Sequence, residues 1–134
     1  MPVTKSEELE LRSAADVVSV RQAVRTWAID AGFSLVDQTK MVTAASEIAR
    51  NTIDYGGGGT ATLELIVESP RRGLRVVFED KGPGISDIQQ AMTDHFTTGN
   101  GLGLGLGGAK RLVNEFHISS RVGEGTRVVI TRWK

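Results

Sequence analysis

Three places in the chain combine residue types that can do chemistry. The first is Glu47 with Asn51, four residues apart and so one turn apart on one face of any helix that holds them, with Tyr55 continuing the row. A carboxylate above a carboxamide can hold a hydrated Mg²⁺ and orient a nucleophile, because Mg²⁺ takes oxygen ligands and keeps several waters. The same spacing equally suits a solvated helix face. The second is Glu79-Asp80-Lys81-Gly82-Pro83-Gly84-Ile85, directly after an apolar strand. Glycines at 82 and 84 let backbone pass close to a flat ligand, and Asp80 at the strand end can accept a hydrogen bond from an exocyclic amine. An ordinary turn after a strand has the same composition.

The third place is the tract Gly99-Asn100-Gly101-Leu102-Gly103-Leu104-Gly105-Leu106-Gly107-Gly108. Glycine costs about 1 kcal/mol relative to alanine inside a helix. A helix that opens through repeated glycine is explained if its first backbone N–H groups must approach phosphate oxygens, or if the tract is a hinge or a close-packing surface. The pattern is not G-x-x-x-x-G-K-[ST], which excludes a P-loop. Its G-x-G-x-x-G at 103–108 follows a loop and lies too near the C-terminus for a dinucleotide-binding βαβ unit with its distal acid.

Composition narrows the field around these residues. A chain of 134 residues allows one core, so a single domain over 1–134 is expected. Without cysteine there is no disulfide framework, no thiolate metal site and no thiol nucleophile, and two histidines, His95 and His117, are too few for a His-rich metal centre. Sixteen Lys/Arg balance sixteen Asp/Glu, which removes the positive excess of a dedicated nucleic-acid binder. The polar start Met1–Glu8 and the lack of any apolar run near roughly 18 residues predict neither a signal peptide nor a membrane span, hence a soluble cytoplasmic domain. Sixteen glycines are about 12% of the chain where roughly 7% is usual. Twelve of them fall in the clusters 56–59, 82–84 and 99–108, so this is not linker composition.

The elements that must position these residues follow from periodicity. Leu9 and Leu11 alternate with charged residues as a short first strand. Ser13 stands at an N-cap position with Asp16 in place of the capping-box Glu, and Val17, Val20, Val24, Trp27 and Ala28 recur at helical spacing until Gly32, predicting a helix over about 14–31. Ser34 caps a second helix whose stripe is Val42, Ala45, Ile48, Ala49 and Ile53, with Ser46, Glu47, Arg50, Asn51 and Asp54 off it, ending at Tyr55 before four glycines. Thr60–Glu68 and Leu74–Glu79 read as a hairpin around Ser69–Gly73. A short helix near 86–94, a loop over His95–Gly101, a helix from the glycine tract to about Asn114, and strands Phe116–Arg121 and Thr126–Trp133 complete an α+β order. It predicts a two-layer sandwich, a mixed and mostly antiparallel sheet with helices on one face.

The order and spacing of these motifs together resemble the GHKL ATP-binding family with its Bergerat fold, over about residues 8 to 133. That resemblance implies ATP and Mg²⁺ as cofactors. It implies Glu47 as general base, Asn51 as Mg²⁺ ligand, Asp80 as acceptor for the adenine amino group, and Gly82 and Gly84 as the glycines under the adenosine. Gly101, Gly103 and Gly105 would be the glycines at the triphosphate, with Thr98, Gly99, Leu102 and Leu104 also binding the cofactor. His95–Asn100 would form the nucleotide lid, and Thr126 would be the hydroxyl beside Asp80. The chain shows neither the following domain whose lysine reaches the γ-phosphate in the gyrase and MutL branches nor a phosphoacceptor histidine helix. The resemblance therefore points to the small bacterial anti-sigma and switch-protein serine kinases. Tyr55, where sigma-binding members usually carry His, favours the switch-kinase side. The implied activity is phosphorylation of Ser or Thr on a STAS-domain protein, with release of the kinase to a PP2C-type phosphatase. The alternatives are a nucleotide-gated anti-sigma factor bound to a sigma factor, or a non-catalytic module that sequesters its partner. Arg50, Lys110 and Arg111 are candidate charges near phosphate or partner, or plain surface cations.

Overall fold

Residues 3–85, 92 and 106–134 are described by a computed structural model. They form β1 (Val3–Leu11), α1 (Ala14–Asp30), α2 (Leu35–Asp54), β2 (Gly59–Glu68), β3 (Arg71–Asp80), α3 (Leu106–Arg111), β4 (Glu115–Arg121) and β5 (Gly125–Trp133). The expected short helix near 86–94, the loop from His95, and Thr98, Gly99, Gly101, Leu102, Gly103, Leu104 and Gly105 lie outside the described residues.

The helix signals act much as read, with two differences. Ser34 Oγ accepts the Asp37 amide at 3.2 Å and starts α2 as expected. Ser13 is extended but caps nothing with its side chain. Asp16 instead accepts the Arg12 amide at 2.8 Å, so the acid reaches back one residue further than a capping box would place it. Gly32, at φ +85°, follows α1 as predicted. The second difference is burial around α2. Val42, Ala45, Ile48 and Ala49 are buried as the periodicity says, but so are Met41, Ala44, Ser46 and Thr52. Ser46 was expected off the stripe; it is buried because α1 packs on that side, its Ala14 and Val17 sharing a groove with Ser46. Thr52 satisfies its hydroxyl on Ile48 O at 2.9 Å.

The sheet order is β1-β2-β3-β5-β4, and all four pairings are antiparallel. Among the described residues there is thus no parallel pair, where a mixed sheet was expected. The reason is the pair of helices after β1. They run out and back, return the chain to the end it left, and place Gly59 beside Leu11, so β2 must run against β1. Ser69-Pro70, joined by a cis peptide, link β2 to β3 in two residues, with Glu68 opposite Arg71.

Register decides what faces the helices. Leu9, Ala61, Phe78, Val128 and Ile118 form one row across the sheet, and Leu63, Val76, Ile130 and Phe116 the next. Leu63, Val76, Phe78 and Ile130 are at most 1% exposed, and burying each side chain stabilises by about 1.5–3 kcal/mol. One row further toward the β1 C-terminus the same face carries Gly59, Asp80, Thr126 and Ser120, so the apolar core gives way to polar groups at one end. At the other end Arg132 Nη2 pairs with Asp37 Oδ1 at 2.5 Å and Nη1 donates to Leu112 O at 2.9 Å, tying β5 to the start of α2 and to the residues after α3. α3 stops at Arg111 rather than near Asn114 because the Leu112 and Val113 amides close onto Ala109 O and Lys110 O, three residues back.

Among the described residues the other sheet face carries no helix. Glu64 pairs there with Arg75 at 2.6 Å, and Trp133 donates from Nε1 to Glu115 at 2.6 Å with the Arg71 guanidinium over its ring. His117, opposite Val129, is an exposed strand residue on this face. No helix of the described residues is long and apolar enough to cross a membrane.

Candidate functional site

Asp80 is the last residue of β3 and continues the inward-facing row of Leu74, Val76 and Phe78. Alternation therefore sends a carboxylate, not an apolar side chain, into the end of the helix–sheet cleft. The Gly82 amide donates to Oδ1 at 2.9 Å, and the Thr126 amide, in register on β5, donates to the same carboxyl. Burial pushes the Asp80 pKa above the usual carboxylate value, and these two amides only partly oppose it. A carboxylate held by two amides keeps lone pairs for a further donor, which suits it to receive an amine.

Glycines take the positions closest to Asp80. A Cβ on Gly125, whose φ is +92°, or on Gly59 would strike the backbone of Asp80 or its neighbours, and Gly56 stands against its carboxylate. The glycine run 56–59 follows α2, and the amides of Tyr55, Gly56, Gly57 and Gly58 close onto the carbonyls of Asn51, Thr52 and Ile53. The run thus does two jobs, terminating the helix and bringing backbone up to Asp80. The sequence pattern supported only the first.

The loop after β3 is pinned along its length. Tyr55 Oη donates to Gly84 O at 3.0 Å, the Gly123 amide to Pro83 O at 2.7 Å, and the Ile85 amide to Ser120 Oγ at 2.7 Å. Ser120 also lies 2.8 Å from Thr126 Oγ1 and bonds to Gly125 O. Ser120 and Gly56 are site residues that motif reading missed. The alternation Phe116, Ile118, Ser120 on β4 is the signal that would have found Ser120.

The cleft itself is lined by Ile48, Asn51, Thr52 and Tyr55 of α2 and its cap, with Phe78, Asp80, Ile85, Leu106, Thr126 and Val128 facing them. Asn51, Asp80 and Thr126, from separate elements, thus come together, with Gly82 and Gly84 on the adjoining loop. Glu47 does not line the cleft. It lies one turn back along α2, partly exposed, with Arg50 Nη2 3.4 Å from its carboxylate. The space left in the cleft is about 20 Å³, enough for about one water. Among the described residues no three Asp, Glu or His side chains cluster to hold a metal ion.

A match over most of the chain settles the family. Residues 36–134 match the model of the histidine kinase-, DNA gyrase B- and HSP90-like ATPases. The chain belongs to this family. Within this GHKL group it is 45% identical over 118 residues to the serine/threonine-protein kinase RsbT of Bacillus subtilis, a match that covers 88% of this chain and 89% of that one. It is 29% identical over 99 residues to an anti-sigma F factor of Clostridium novyi, covering 70% of this chain and 69% of that one. The crystal structure of the RsbU and RsbW domains of a Mycobacterium tuberculosis protein superposes with a TM-score of 0.63 at 20% identity, over 98% of this chain and 33% of that longer one. At that identity the likeness is one of fold alone.

Proposed function

We propose that this protein is a cytoplasmic ATP-dependent serine/threonine kinase of the partner-switching kind, acting as one domain on a STAS-domain protein and then engaging a PP2C-type phosphatase or another regulator. The observation that carries the reading is the Asp80 carboxylate, seated by two amides at the end of a cleft whose facing helix presents Asn51, in a GHKL chain 45% identical to a serine/threonine-protein kinase.

In this reading Asp80 accepts the adenine amino group, with Thr126 and Ser120 completing the polar end of the cleft. Asn51 holds Mg²⁺ through its carboxamide oxygen, which fits a cation that takes oxygen ligands and completes its shell from phosphates and water. Bound Mg²⁺ supplies charge neutralisation at the β- and γ-phosphates. The acceptor hydroxyl oxygen forms a bond to the γ-phosphorus as the bond to the β,γ-bridging oxygen breaks and ADP leaves. Glu47 takes the hydroxyl proton. Glu47 carries an exposed ion pair with Arg50, which contributes little to stability. The glycine tract 99–105 donates its amides to the triphosphate.

The test is transfer from γ-labelled ATP with Mg²⁺ to the STAS-domain protein encoded nearest to this chain. Wild type should yield phosphoserine or phosphothreonine, and Glu47→Ala should lower the rate by about 10²-fold or more while ATP affinity changes little. Transfer by Glu47→Ala at near wild-type rate would overturn the base assignment. No transfer by wild type, with tight nucleotide-independent binding of the partner, would instead identify a sequestering module.

A further inference from the structure

Glycine at position 56 is not required by its backbone conformation. Gly57 and Gly58 have φ of +77° and +108°, the left-handed region that favours glycine, but Gly56 is not among the residues with positive φ. Solvent does not require it either, since Gly56 is buried. What a side chain there would meet is Asp80. An ideal Cβ on Gly56 would stand 2.5 Å from Asp80 Oδ2 and 2.7 Å from Asp80 Cβ, both inside van der Waals contact. Gly82 completes the wedge, because a Cβ on it would stand 2.6 Å from Gly56 O and 2.7 Å from Gly56 Cα. The backbones of 56 and 82 are therefore in direct contact, and the Asp80 carboxylate bonded to the Gly82 amide lies beside Gly56.

We propose that Gly56 is a positioning residue for base recognition: the missing side chain at the end of α2 lets the Asp80 carboxylate stay on the Gly82 and Thr126 amides, facing the cleft. A methyl group at 56 pushes that carboxylate off its two donors, or pushes the α2 terminus off Gly82. Either movement misaligns the acceptor without touching the phosphate-binding residues. The proposal rests on the reading of Asp80 as the acceptor for the adenine amino group. It adds a residue that makes no contact with the nucleotide itself.

The experiment compares binding of ATP and of purine riboside triphosphate, which lacks the 6-amino group, by titration calorimetry. Wild type should prefer ATP by about tenfold or more, the value of a hydrogen bond to a charged group. In Gly56→Ala that preference should fall to within about threefold, with affinity for the analogue nearly unchanged. Gly57→Asn, in the same turn with open space around its Cβ position, should keep the wild-type preference. Retained preference in Gly56→Ala overturns the positioning role. No preference in wild type overturns the adenine reading itself, a separate failure. If Gly56→Ala does not fold, the double variant Gly56→Ala/Asp80→Gly decides: removing the whole side chain at 80, Cβ included, should restore folding, and a double variant that still fails overturns the assignment of the clash to Asp80.

Discussion

Asp80 is pulled two ways, its charge disfavoured by burial and favoured by the amides of Gly82 and Thr126, and burial dominates. Its folded pKa therefore lies above the unfolded value, and the native state holds this proton to higher pH. The stability from that difference is fully present below the unfolded pKa of about 3.8 and is lost as pH rises through the folded one. At neutral pH the ionised carboxylate is thus a cost to the fold, accepted for its place in the cleft. Asp80→Asn should raise the thermal midpoint at pH 7 by a few degrees, an advantage that disappears toward pH 3, while ATP affinity falls about tenfold or more. A midpoint lowered at pH 7 would show that the amide bonds to the carboxylate outweigh its burial. Asp80 was legible in the sequence because a strand ran straight into D-x-G-x-G. The packing of Gly56 against Asp80 was not, since it is a contact with a residue on another element, which chain order cannot show.

The elements hold the site from both ends of α2. At its C-terminus Tyr55 fastens the loop at Gly84, and at its N-terminus Asp37 meets Arg132, whose second nitrogen holds the carbonyl of Leu112. The Arg132 hydrogen bond is the main reason that the Asp37 pKa is lowered. A lowered folded pKa means stability present above about 3.8 and lost as pH falls through the folded value. Arg132→Met should cost about 1.5 kcal/mol in urea unfolding at pH 7, and much less at pH 3, where wild type has already lost part of the pair. An equal cost at both values would mean that Arg132 acts through packing alone. The bounds of α1 and α2 were readable to within a residue or two, because Ser34 and Gly32 carry local signals, whereas β1, expected as a short strand at Leu9 and Leu11, begins at Val3, and β3 begins three residues before Leu74. The β2–β3 hairpin was readable as well, but the antiparallel pairing of β1 with β2 was not. It depends on two helices cancelling each other's displacement, which appears only once they pack. The burial of Ser46 has the same origin, set by the neighbouring helix rather than by its own periodicity.

Across the whole molecule the sheet has two unlike faces, one covered by helices and one bearing Glu64–Arg75 and the Trp133 cluster. Trp133 anchors the second face: it is 9% exposed, lies against Gly73, and carries the Arg71 guanidinium 4.2 Å from its ring centre. Trp133→Ala should lower unfolding free energy by about 3 kcal/mol, a large part of the roughly 5–15 kcal/mol available to a domain. ATP affinity of the folded fraction should be unchanged, because the cleft is on the other side of the sheet. A loss under about 1 kcal/mol in urea titration would show that the ring contributes little. The glycines around Asp80 have a further consequence, for the order in which the chain folds. They come from the end of α2, from the loop after β3 and from the start of β5, segments that meet only when the last strand has docked. A β2–β3 hairpin formed alone carries the carboxylate and Gly59 but neither Gly56 nor Gly125 beside it. The cleft around Asp80 is therefore complete only once β5 is in place, and a ligand that needs all of these groups stabilises the completed fold.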